Sequence, residues 1–205
     1  MINDSALLSA IVLAGGKSSR MGQDKALLLV KGVPLLQRVC NIAAACSDTV
    51  YVVTPWPERY QYLPLPHCQF IQEVPLLGAI GNEPLNHGPL VGFAQGLAQV
   101  QTDWVMLLAC DLPKLQVEVL QAWVAELDSN SIGDAIAALA HHTKGWEPLC
   151  GFYRRRCLPQ LLDFINQGGR SFQQWLQQHP VKVLPLPAAD MLLNCNTPED
   201  WALMQ

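Results

Sequence analysis

Apolar positions along the chain form two kinds of run: short unbroken stretches, and longer stretches with helical spacing. Residues 8–14 are apolar apart from Ser9, β-branched in part, and end at Gly15-Gly16, which reads as a buried strand entering a turn. Residues 34–45 carry apolar side chains at helical spacing, with Pro34 suited to the first turn. Residues 50–53 form a second strand, stopped by Thr54-Pro55-Trp56-Pro57, and residues 68–71 a third. The segment 73–89 holds three prolines and three glycines and reads as a long loop, the kind that is usually functional or mobile. Residues 90–100 are a helix. Residues 104–110 are apolar on both faces, as in a central strand of a parallel sheet. Then follow a helix (Val117–Leu127), strands at 135–140 and 149–153, helices at Leu158–Asn166 and 172–177, a strand at Val181–Leu184, and a helix after Thr197-Pro198.

Strands that alternate with helices predict a three-layer α/β/α fold with a mostly parallel sheet. The 205 residues suit one domain spanning 1–205. In such sheets ligands bind outside the carboxyl ends of the strands. The ends of the first strand and of strand 104–110 are therefore the places to search, and they carry Gly15-Gly16 and Asp111.

Composition narrows the function classes. Half of the residues are apolar and 15% are charged, and the net charge is −4, so nothing global indicates nucleic acid. The distribution says more: residues 17–38 hold Lys17, Arg20, Lys25, Lys31 and Arg38 against one acid, Asp24. A local cationic patch on an acidic protein points to a small anionic ligand. The seven cysteines form no Cys-x-x-Cys pair and read as free thiols of a reducing compartment. No basic region precedes the first apolar run, and the uncharged stretch 85–102 contains Gly88, Pro89, Gly92 and Gly96. Neither a signal peptide nor a membrane span is expected, and the protein reads as cytoplasmic.

The segment Leu13-Ala14-Gly15-Gly16-Lys17-Ser18-Ser19-Arg20-Met21-Gly22-Gln23-Asp24-Lys25 combines a glycine turn with three cations. Adjacent glycines let backbone N–H groups approach an anion. Arg20 offers a two-pronged grip on phosphate and Lys25 a compact charge. It is not a P-loop, because Ile11 stands where the first Gly is needed, nor a Gly-x-Gly-x-x-Gly fingerprint. An ordinary strand-to-helix turn with solvated cations would use the same residue types. The full pattern, however, resembles the signature of the molybdenum cofactor guanylyltransferases within the nucleotidyltransferase superfamily.

The resemblance implies a Rossmann-like nucleotidyltransferase fold and roles for individual residues. Leu-Leu-Ala-Cys-Asp-Leu-Pro resembles the family's metal-binding strand end, so Asp111 would hold Mg²⁺, which takes one or two carboxylates plus phosphate oxygens. By composition alone Asp111 could equally cap the next turn. The implied nucleotide contacts are Leu13, Ala14, Gly15, Gly16, Lys25, Thr54, Glu73, Gly88 and Asp111. Glu73 stands where the family usually has Asp, one carbon shorter. Asn196 would face the metal, although Thr197, Pro198 and the following acids also make a sound helix start. Arg170 would bind the acceptor's phosphate, and a solvated loop Arg is the plain alternative. Arg154-Arg155-Arg156 reads as a solvated strand end, the five histidines form no metal-spacing motif, and the tryptophans read as packing.

The implied reaction joins GMP from GTP to molybdopterin, with Lys25, Arg20 and Asp111 as the catalytic groups. GTP and the molybdenum cofactor would be the ligands, and molybdoenzymes or their chaperones further partners, with no nucleic acid and no membrane. A related enzyme using CTP or a sugar phosphate remains open at this point, as does a non-catalytic carrier. Gly15 in place of a second Ala favours the guanylyl enzyme.

Overall fold

The computed structural model describes residues 8–15, 24–65, 67–76, 88–127, 132–187 and 189–194. The expectations for Gly16, Arg20, Asn196 and the closing helix lie outside these residues. The described chain runs β1 (Leu8–Leu13), a 3-10 turn (Lys25–Leu27), a short hairpin of β2 (Leu29–Val30) and β3 (Val33–Pro34), α1 (Leu35–Ala44), β4 (Thr49–Thr54), β5 (Cys68–Gln72), α2 (Gly88–Gln99) and β6 (Trp104–Ala109). It continues through α3 (Val117–Leu127), β7 (Ala137–His142), β8 (Gly145–Arg154), α4 (Leu158–Asn166), α5 (Phe172–Leu176) and β9 (Val181–Leu184).

Among the described residues the main sheet has seven strands in the order β5-β4-β1-β6-β8-β7-β9. All its pairings are parallel except those of β8. Both faces are covered, which is why the central strands are apolar without alternation. Ala10, Val12, Val52, Met106 and Leu108 pack with Leu36 and Val39 of α1 and Trp123 of α3. Their neighbours Ile11, Val53, Val105 and Leu107 pack on the other face with Phe93 and Leu97 of α2, Leu161 of α4 and Trp175 of α5. All six residues of β6 are buried, as the apolar run 104–110 predicts for a central strand. No helix among the described residues is long and apolar enough to cross a membrane.

The expected strands at 135–140 and 149–153 are in fact two arms of one antiparallel hairpin, β7 and β8, with β8 starting at Gly145. Gly145 has φ +116°, a conformation that favours glycine at the turn. Pro148 hides the longer strand from a sequence reading. It is tolerated because the β7–β8 register shifts between Leu139 and His141, and Pro148 falls opposite that irregularity, with no ladder partner that needs its N–H. The arginine run is also not simply solvated. Arg154 pairs with Asp103 and lies 4.1 Å over the Trp104 ring, and Arg155 Nε donates to the Val100 carbonyl at 2.6 Å.

Candidate active site

Because β1, β4, β5 and β6 run parallel, their carboxyl ends share one edge of the sheet, and the ladder is prolonged there by single bonds. Ala14 N–H donates to Val53 C=O at 2.9 Å, Cys110 N–H to Leu13 C=O at 3.1 Å, and Glu73 N–H to Thr54 C=O at 2.8 Å. Leu13, Ala14, Thr54, Glu73 and Asp111 are thereby gathered from distant parts of the chain onto one rim. Thr54 itself is fully buried, and its hydroxyl accepts from Trp56 N–H at 3.2 Å. It reaches the site through the carbonyl that holds Glu73. Gly88, with φ +62°, opens α2 on the same side.

Lys25 Nζ lies 3.8 Å from Asp111 Oδ2, with both side chains less than one-fifth exposed. Two unit charges at that separation attract by about 4 kcal/mol at an effective dielectric near 20. Even so, burial holds the Asp111 carboxyl above its ordinary range, with the Lys25 ammonium pulling it back only in part. The pair is therefore an expensive way to stabilise a fold, as expected where charge is kept for a ligand. Lys25 is aimed by its neighbour. Asp24 caps the 3-10 turn by accepting from Ala26 N–H at 3.1 Å, and its other oxygen accepts from the buried Tyr60 hydroxyl at 2.8 Å. Arg59 stands 3.8 Å from the same oxygen. Asp24 was visible in the sequence motif. The tie to Tyr60 was not, because it spans 36 positions. Of the other cations of the patch, two lie among the described residues: Lys31 is exposed in the hairpin turn with φ 51°, and Arg38 belongs to α1.

Glu73 occupies a slot made by two glycines. A Cβ placed on Gly15 would lie 2.7 Å from Glu73 Oε2 and 3.2 Å from Pro55 Cδ, and one on Gly92 would lie 3.3 Å from the carboxylate carbon. The longer acid thus fits because neither neighbour has a side chain. Gly15→Ala would push the carboxylate aside, at a cost of about 1–2 kcal/mol for overpacking. The expected result is a Tm lowered by about 2–8 °C, at about 2–4 °C per kcal/mol, read by thermal unfolding. Burial also raises the Glu73 carboxyl above its ordinary range. The folded chain then holds that proton at pH values where the unfolded chain has lost it. Glu73 accordingly withdraws stability as pH rises from about 4.5 through its raised range. Glu73→Gln should flatten the difference in urea midpoint across that window, whereas an unchanged slope would remove Glu73 as its source.

The other half of the rim is where β8 begins, because β8 runs antiparallel to β6. The β7–β8 turn is tied to α5 by Gln173, whose Oε1 accepts from Trp146 N–H at 3.1 Å and whose Nε2 donates to Trp146 C=O at 2.6 Å. His141 meets the Trp146 ring edge-on at 4.6 Å, and His142 pairs with Glu147. Arg170 lies between α4 and α5, and its Nη1 donates to the carbonyls of Ile165 and Gly169 at 2.7 and 2.6 Å. These bonds satisfy the end of α4 and fix the plane of the guanidinium.

Residues 10–183 match the model of a family described as MobA-like NTP transferase domain. A "Probable molybdenum cofactor guanylyltransferase" of Nostoc sp. is 69% identical over 97% of this chain and 90% of its own length. One of Synechococcus elongatus is 46% identical over 96% of this chain and 97% of its own. In fold, the chain is similar to the crystal structure of molybdopterin-guanine dinucleotide biosynthesis protein A from Archaeoglobus fulgidus, with TM-score 0.73, 21% identity and 96% of each chain covered.

Proposed function

The chain belongs to the MobA-like NTP transferase family, and from that premise we propose that it is a guanylyltransferase joining GMP from GTP to the terminal phosphate of molybdopterin. The observation that carries this reading is the Lys25–Asp111 pair at the carboxyl ends of β1 and β6, beside a slot that keeps an acid against Gly15. A cation and a hard carboxylate side by side suit a triphosphate and its metal.

Mg²⁺ fits the donors. The described residues hold no cluster of three or more His, Cys, Asp or Glu, and Mg²⁺ shared with a triphosphate needs only one or two carboxylates. Asp111 would hold it, and the ion would supply charge neutralisation at the phosphates. Lys25 turns its ammonium from Asp111 to the phosphate oxygens, and the backbone at Gly15 offers its N–H to the same charge. An oxygen of the acceptor phosphate attacks the α-phosphorus in line, forming the new P–O bond. The bond to the bridging oxygen breaks, and pyrophosphate leaves with the electron pair. The acceptor phosphate is already ionised near neutral pH, so no general base is required. Arg170, its plane fixed by two carbonyls, is our candidate for holding that phosphate.

Thermal shifts with GTP, CTP, ATP and UTP, each with and without Mg²⁺, test the reading. A ligand at a hundred times its Kd adds about 2.7 kcal/mol, or roughly 5–10 °C for a chain of this size. A shift with GTP, enlarged by Mg²⁺, is the expected result. A shift with CTP alone would change the product, and no shift with any nucleotide would leave a carrier.

A further inference from the structure

The peptide that follows Glu73 lies beyond the sheet. The last β4–β5 pair is Thr54 with Gln72, and the Glu73 N–H makes one more bond, to Thr54 C=O. The chain leaves β4 at Pro55, so no strand remains to meet Val74. Gln95, from α2, takes that place. Its Oε1 accepts from Val74 N–H at 2.8 Å, and its Nε2 donates to Val74 C=O at 2.7 Å. A side-chain amide presents a donor and an acceptor together, as the backbone of a neighbouring strand does. Val74 is 61% exposed, so apolar packing does little to hold this residue, and the two hydrogen bonds remain to do so. Gln95 also stands three residues beyond Gly92, on the same face of α2, and Gly92 is the residue against which the Glu73 carboxylate rests.

We propose that Gln95 is a positioning residue for nucleotide binding: by fixing the Val74 peptide it fixes the direction in which Glu73 presents its carboxylate between Gly15 and Gly92. The peptides on both sides of the Glu73 Cα are then pinned, one by Thr54 and one by Gln95, which leaves the backbone of Glu73 little freedom to swing the side chain towards water. The inference rests on the reading of Glu73 as a nucleotide contact.

The test is a double-mutant cycle on the dissociation constant for GTP with Mg²⁺, using Gln95→Ala, Glu73→Ala and both together. Residues coupled through a shared backbone segment are non-additive, so Gln95→Ala alone should weaken GTP binding about tenfold, raising KM while kcat is unchanged. In the Glu73→Ala background it should add nothing. Gln95→Glu, which keeps the side chain's size, should bind GTP as weakly as Gln95→Ala at neutral pH, because its carboxylate faces the Val74 carbonyl. Equal losses with and without Glu73 would overturn the proposal, since Gln95 would then act through the fold alone. GTP binding unaltered in both Gln95 variants would overturn it as well. If Glu73→Ala itself leaves GTP binding intact, the nucleotide reading of Glu73 fails first, and the positioning role falls with it.

Discussion

Asp111→Asn should lower kcat by on the order of 10³-fold or more, the scale of several kcal/mol of charge stabilisation at a transferring phosphoryl group, and should leave a folded protein. The first half follows from position. Asp111 comes just after the buried strand β6, at the rim of the sheet, and faces Lys25 at 3.8 Å. The second half follows from the sign of its titration. Burial raises the carboxyl despite the nearby ammonium, so the charged acid costs the folded state, and a neutral isostere removes that cost while forfeiting the attraction of Lys25. The two terms oppose, and Tm should stay within about 4 °C of the parent, the effect of roughly 1 kcal/mol. Retained turnover in this variant would remove Asp111 from the reaction. A lost native fold would make the carboxylate structural.

Lys25→Ala should weaken GTP binding by about 10–100-fold, the value of one charge-assisted hydrogen bond at about 1.5–3 kcal/mol. The ammonium is held on a 3-10 turn that Asp24 caps and Tyr60 anchors, so its placement depends on a rigid frame. Removing it also takes the Lys25 counter-charge from Asp111, which should raise the acid's pKa further and move the pH profile of turnover upwards. Isothermal titration of GTP checks the first effect, and the pH profile of turnover the second. A Kd equal to the parent's would place the phosphates elsewhere.

Much of this arrangement was legible in the sequence, for physical reasons. A strand covered on both faces must be apolar throughout, so β1 and β6 stood out, and their ends located Gly15 and Asp111. Lys25 and Asp111 belong to two separate motifs, and a parallel sheet with β1 beside β6 brings them together. The β7–β8 hairpin was harder, because periodicity encodes burial and not the partner or direction of a strand, and Pro148 masked its length. The two-residue strands β2 and β3 are too short for any period. Glu73 looked too long for its place because the slot that accepts it is defined by atoms missing from Gly15 and Gly92. Gln95 carried no signal at all: one glutamine on an apolar helix looks like any other until its bonds to Val74 are seen.

The account depends above all on transfer itself. Purified protein should be incubated with GTP labelled at the α-phosphate, Mg²⁺ and molybdopterin, with CTP in a parallel reaction, while labelled product and pyrophosphate are followed. The predicted result is label carried from GTP onto molybdopterin, one pyrophosphate released per transfer, and far slower transfer from CTP. Release of free GMP without a labelled dinucleotide, or faster transfer from CTP, would contradict it.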